Sequence, residues 1–221
     1  DISRLFYIAI IGTLIADLLY FYALIKIPVI NAVLIGHMQP IFIIFIGYLI
    51  LKSDKISKYD IIGISLMIIS GFLVTTKTIQ NITLLKFGTQ GDLLVFISTI
   101  AWASTAIVMR KYLTHLNAAI ITLYRFMVAS IFFIFYFIIT SNTIEINIFQ
   151  IFIGLIVAVG TILYYFGLNK IKAAQVSGLE LSTPFFAAIL GFFILGEKLT
   201  ILQIFGIILL FFGIYYISKK E

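Results

Sequence analysis

The 221 residues contain no cysteine, which removes both a disulfide framework and a thiolate metal site. Charge is scarce as well. Asp, Glu, Lys and Arg together make up 11% of the chain, against about a quarter in an ordinary globular protein. There are two histidines and three prolines. Neither a His-Glu-x-x-His zinc motif nor a Gly-x-Ser-x-Gly nucleophile elbow occurs. An intramembrane carboxylate dyad would need two acids facing one another, but Asp60 and Asp92 fall at the starts of segments on opposite surfaces. No enzyme, metal or cofactor is implied. The net charge of +6 does not point to nucleic acid, because the cations punctuate apolar runs instead of clustering among aromatics.

What remains is apolar. Hydrophobic residues make up 62% and the mean hydropathy is +1.20. Runs of about 20 residues, enough to cross roughly 30 Å of hydrocarbon, predict eight spanning helices at 5–25, 29–51, 59–76, 92–110, 118–140, 147–168, 173–195 and 201–217. Helix is required because an open sheet leaves its backbone groups unpaired in lipid, and runs such as IFIIFIGYLIL lack the alternation of a barrel strand. The expected fold is an all-α membrane protein, a polytopic helical bundle. With the N-terminus inside, ten Lys and Arg fall on the inner side and four outside, with Arg125 inside a helix. That bias places the chain in the cytoplasmic membrane with both termini cytoplasmic.

The chain also repeats itself. Residues 19–51 align without a gap to 163–195, so that Leu19, Tyr20, Lys26, Pro40 and Gly47 fall on Leu163, Tyr164, Lys170, Pro184 and Gly191. One inserted residue later, Asp54-Lys55-Ile56-Ser57 falls on Glu197-Lys198-Leu199-Thr200, and Gly63 on Gly206. The charge count puts Lys26 outside and Lys170 inside, so the copies are expected to be inverted. Two inverted bundles that rock about a midplane site are an architecture of secondary transporters.

These residues resemble the EamA-type repeat of the drug/metabolite transporter superfamily. The resemblance rests on the segment before Lys26 and Lys170, the mid-helix prolines, Leu195–Thr200 (LGEKLT), and Gly63 or Gly206 opening the next helix. Gly91-Asp92, Ala101-Trp102-Ala103 and Arg110-Lys111 resemble the first helix of such a unit, and Leu123-Tyr124-Arg125-Phe126 its second. Residues 91–221 match a whole five-helix repeat and 1–77 the last three helices of another, with 78–90 as the connection. Family members have ten helices, so the sequence reads as lacking its first two. The resemblance implies a carrier of small metabolites such as amino acids or drug-like solutes, most commonly an exporter. Uptake on the same scaffold, or a membrane paralogue that does not transport, are the alternatives. The implied partners are a small-molecule substrate and the lipid bilayer, with no nucleic acid.

Ionisable groups inside a bilayer are costly and mark candidate sites. Asp17 and His37 lie ~12 Å below the outer surface, and Arg125 and Glu180 about 10 Å from the inner one, at ~1.5 Å per residue. Matching depths predict the pairs Asp17–His37 and Arg125–Glu180, as counter-charges or a proton relay. Arg125 could instead extend its guanidinium to the headgroups, and Asp17 bond a neighbouring helix. Pro40 and Pro184 each remove a helical hydrogen bond, predicting kinked helices that line a cavity, with Gln39 and Thr183 beside the freed carbonyls. Tyr20, Tyr164, Trp102 and Tyr124 are aromatic candidates for the same cavity, or else interface and packing residues. Gly47, Gly63, Gly191, Gly206 and Gly213 read as close helix contacts.

Overall fold

A computed structural model of the protein describes residues 1–51, 57–84, 88–140, 147–171, 176 and 182–219. Among the described residues, seven helices are long and apolar enough to cross a membrane. They are α1 (Ile2–Leu24), α2 (Val29–Ile50), α3 (Lys58–Thr76), α4 (Gln90–Tyr112), α5 (Ala118–Thr140), α6 (Ile148–Lys170) and α8 (Ile201–Ser218). Between the last two, α7 is described over Ser182–Leu195. The segment predicted at 173–195 therefore lies partly outside the described residues, as does Glu180. Among the described residues there is no strand.

Polar residues at the ends start these helices. Ser57 with Asp60, Thr89 with Asp92, Asn147 with Gln150 and Thr200 with Gln203 form reciprocal capping boxes on α3, α4, α6 and α8. Each box satisfies two of the backbone N–H groups that a helix start leaves without partners. Two helices depart from regular α geometry. Within α1, Ile8–Asp17 is a π-helix, the wider winding with i→i+5 hydrogen bonds that is rare and often found at functional positions. α2 is interrupted: Val29–Gly36 ends at His37 (φ −76°, ψ 3°), and helix resumes at Gln39. Pro40 explains the break, since it has no N–H for the carbonyl of Gly36 and its ring crowds that carbonyl. Pro184 is the third described residue of α7, and the residues just before it lie outside the description.

The ends alternate between two faces of the bundle. At one face, the near end, the Asp1 carboxylate meets His115 at 3.0 Å and Lys111 donates to the Ile50 carbonyl. Arg110 donates to the carbonyls of Leu168 and Ile171 at 2.7 and 2.6 Å there. At the far end, Lys26 donates to Gln90 at 3.0 Å. A buried polar chain lies just inside it, in which Gln203 donates to Asn31 at 2.6 Å and Asn31 to Asp92 at 3.5 Å.

The tightest contact joins α3 and α8, which run antiparallel. A Cβ on Gly63 would fall 2.6 Å from the Gly213 carbonyl oxygen, and one on Gly213 would fall 2.6 Å from Met67 Cγ. A Cβ on Gly206 would fall 2.8 Å from Val74 Cγ2, and the Ser70 hydroxyl donates to the Gly206 carbonyl at 2.6 Å. Small residues allow this approach, and in lipid that packing, with the hydrogen bond, holds the helices together. Gly191 differs from the expectation of a helix contact. The space where its Cβ would go is taken by the Glu197 carboxylate, 2.9 Å away.

A second core of Ile8, Ala103, Ile107, Ile121, Tyr165 and Leu168 joins α1, α4, α5 and α6. Elsewhere large apolar side chains face outward, for example Phe149, Ile153 and Ile156 on α6. In water such a surface would drive association. In a bilayer it is the contact with the acyl chains.

Candidate functional site

Where α2 breaks, the bundle holds a partly open cavity of about 540 Å³, within the range of small-molecule sites. Its walls come from α1 (Asp17, Tyr20, Phe21), α2 (Val33, Gly36, His37, Gln39, Pro40), α4 (Trp102, Thr105), α5 (Arg125), α6 (Val157, Gly160, Thr161, Tyr164, Tyr165) and α7 (Thr183).

One ion pair lies in the wall. Arg125 Nη2 donates to Asp17 Oδ2 at 2.9 Å, and the two side chains are 10% and 18% exposed. The guanidinium is held on every side: Nε donates to Thr13 Oγ1 at 2.7 Å, Nη1 to the Tyr165 hydroxyl at 3.0 Å, and Nη2 also to the Gly12 carbonyl at 3.1 Å. Gly12 packs against that guanidinium, for a Cβ there would already be 3.4 Å from Arg125 Cζ. The other carboxylate oxygen, Asp17 Oδ1, accepts from the Trp102 indole at 2.7 Å. The Trp102 ring in turn lies 5.2 Å, centroid to centroid, from Tyr20. A buried charge is tolerated when it is paired and hydrogen-bonded, and Arg125 is paired and uses four of its five N–H donors.

His37 and Gln39 add further polar groups to the wall. His37 Nδ1 is 2.8 Å from the Val33 carbonyl, one turn back on its own helix. A carbonyl only accepts, so Nδ1 carries the hydrogen. Gln39 Nε2 donates to the Tyr164 hydroxyl at 3.3 Å, joining α2 to α6.

Of the residues singled out in the sequence, Asp17, Tyr20, His37, Gln39, Trp102, Arg125, Tyr164, Thr183 and Pro40 line this cavity. Tyr124 does not. It is 44% exposed on the outer surface of α5, because one residue's step rotates it about 100° from Arg125. One expected pair also changes, while Arg125–Glu180 falls on a residue outside the described ones. Asp17 takes Arg125 as its partner, not His37. Depth from opposite surfaces had separated them, but about 12 Å and 10 Å subtracted from a core of roughly 30 Å leave a gap that the long arginine side chain covers. Glu180 and the side chain of Pro184 lie outside the described residues.

The sequence reading missed Tyr165 and Thr13, which hold the guanidinium, and the buried Asn31. It also missed what Glu197 does. Glu197 Oε1 and Oε2 accept from the backbone N–H groups of Val29 and Ile30 at 2.6 and 3.1 Å. Pro28, at the N-cap of α2, makes no side-chain cap bond, so a carboxylate from the far side of the sequence caps that helix.

Long apolar helices around a largely apolar cavity with an ion pair in its wall define a multi-pass helical membrane protein. The EamA-like transporter family matches residues 1–76 and 89–219, and the chain belongs to that family. Among relatives, it is 30% identical over 220 residues to the uncharacterized transporter sll1164 of Synechocystis sp., covering 93% of this chain and 62% of the relative. It is 29% identical over 209 residues to an uncharacterized transporter of Methanothermobacter thermautotrophicus (91% of this chain, 60% of the relative). It is 24% identical over 218 residues to the uncharacterized transporter YyaM of Bacillus subtilis (94% and 70%). The chain thus spans about three fifths of the length of the first two.

Proposed function

We propose that this protein is a secondary carrier of the cytoplasmic membrane that moves a small organic solute outward by alternating access through the midplane cavity. The observation that carries the reading is the cavity itself: about 540 Å³, walled by six helices, with a buried, hydrogen-bonded ion pair in its wall. Its symmetry supports an inverted repeat with the two units at 1–77 and 91–221. Tyr20 and its counterpart Tyr164 both line the cavity, as do Gln39 and Thr183, each beside a mid-segment proline. The closing helices of the two copies, α3 and α8, pack antiparallel on each other. Such a pair of bundles rocking about a shared site is the physical basis of alternating access. The three relatives carry the name of transporters, in keeping with this reading.

The test is solute flux in proteoliposomes, with Gly36→Phe as the blocking variant. A Cβ at Gly36 meets nothing nearer than 3.9 Å, so a large side chain enters the cavity without disturbing the helix. Flux by the wild type and its loss in a folded Gly36→Phe protein is the expected result. Equal flux in both would remove the cavity from the pathway.

A further inference from the structure

We infer that the cavity selects an uncharged, planar, ring-bearing solute with hydrogen-bond donors and acceptors, such as a heteroaromatic base or amide, and rejects amino-acid zwitterions and organic ions. This rests on the carrier reading above and names its substrate class. Both fixed charges in the described wall are already spent on each other. Arg125 makes four hydrogen bonds, to Thr13, Tyr165, Gly12 and Asp17, and each Asp17 oxygen has a donor. A zwitterion entering a largely apolar space needs a counter-charge for each end. From the described wall it would obtain them only by breaking that pair, which strands two buried charges at once.

Two neutral groups are open to a solute. Among the described residues the Tyr20 hydroxyl has no hydrogen-bond partner, and the Gln39 amide engages only its nitrogen. Together they offer one hydroxyl that donates or accepts and one carbonyl oxygen that accepts. The shape favours a flat solute. Tyr20 and Trp102 form an aromatic wall; Gly36 lies against it, where a Cβ would be 3.9 Å from both rings, and Gly160 lines the cavity with no Cβ. At Gly160 a Cβ would meet nothing within 4 Å. An aromatic face and bare backbone admit a planar ring, and offset stacking with centroids roughly 4.5–7 Å apart would hold it.

The chain carries its own probe, since Trp102 is its one tryptophan. The full chain in lipid nanodiscs is titrated with nicotinamide, uracil, threonine, phenylalanine, benzoate and tetramethylammonium while Trp102 emission is followed. The expected result is saturable change with nicotinamide or uracil and none with the zwitterions and ions. Tyr20→Phe should weaken the binding about five- to tenfold, the equivalent of one hydrogen bond, with its circular dichroism unchanged. Zwitterions or ions that bind as well as the neutral rings overturn the inference, as does undiminished binding by Tyr20→Phe. Flux of the same solutes in proteoliposomes separates the two readings. If threonine crosses and nicotinamide does not, the carrier stands and the substrate class falls. If nicotinamide binds at the cavity without crossing, the class stands and the carrier falls. If no solute binds or crosses, both fall.

Discussion

Replacing Arg125 by Met and Asp17 by Asn, singly and together, tests whether the ion pair acts as a unit. Arg125→Met deletes four hydrogen bonds. Hydrogen bonds within membranes average about 0.6 kcal/mol, so this change should cost about 2.4 kcal/mol, and it leaves the Asp17 carboxylate beside an apolar group. Asp17→Asn keeps the shape and the acceptor for Trp102 but leaves the guanidinium without its counter-charge. Breaking a buried pair costs about 3–5 kcal/mol. Here the side chains are 10% and 18% exposed to the cavity, so screening reduces the figure to about 2 kcal/mol. Additivity would make the double variant about 4.4 kcal/mol less stable. It leaves no unpaired charge, however, and should fall about 1.5 kcal/mol short of that sum, a coupling within the usual range for contacting residues. Reversible unfolding in mixed micelles by SDS titration, followed by circular dichroism, measures all three. Coupling below about 0.5 kcal/mol, the scatter expected of independent sites, would refute the claim that these groups hold one another.

Glu197→Ala removes both acceptors from the start of α2 and should cost about 1–2 kcal/mol in the same assay, as a lost cap plus a lost charge at a helix N-terminus. Glu197→Gln should lose less, and equal loss would show that the charge contributes nothing. Gly213→Ala places a methyl against Met67 and the Gly63 carbonyl and should lower stability by about 1–3 kcal/mol. Gly154→Ala, where a Cβ meets nothing within 4 Å, should be neutral or slightly stabilising, and similar losses at both sites would contradict the α3–α8 contact. With no native cysteine to interfere, a cysteine at Lys58 should be shielded from an impermeant thiol reagent in intact cells and one at Lys77 labelled. The reverse pattern would invert the proposed orientation.

The helices were legible because bilayer thickness and backbone satisfaction leave a chain this apolar few alternatives. The cavity was partly legible for a different reason. The repeat pointed to Tyr20 with Tyr164, and to the residues beside Pro40 and Pro184, without any knowledge of which helices touch. Azimuth was not legible. Counting residues gives depth, but it does not say which way a side chain faces, and that is how Asp17 was paired with His37 and Tyr124 placed inside. Helix periodicity could not repair this in α1, because Ile8–Asp17 winds with an i→i+5 period. That winding brings Gly12 and Asp17, five residues apart, to the same guanidinium.

The same limit explains Glu197. Its segment, LGEKLT, stood out as a family-like motif, yet nothing local shows its purpose, since its partners Val29 and Ile30 lie 168 and 167 residues away. The structure links three features that looked separate in the sequence. Pro28 opens α2 without a side-chain cap bond. Glu197 supplies the acceptors from another loop at the far end. Gly191, one helical residue type among many in the sequence, has no side chain because that carboxylate occupies the space beside it. Asn31, one turn further into α2, is then fixed between Gln203 and Asp92. The first turn of α2 is therefore tied to α4, to α8 and to the loop between α7 and α8, while Pro40 cuts α2 in two below it. A helix clamped at one end and broken in the middle concentrates bending at His37 and Met38, which is where the cavity lies.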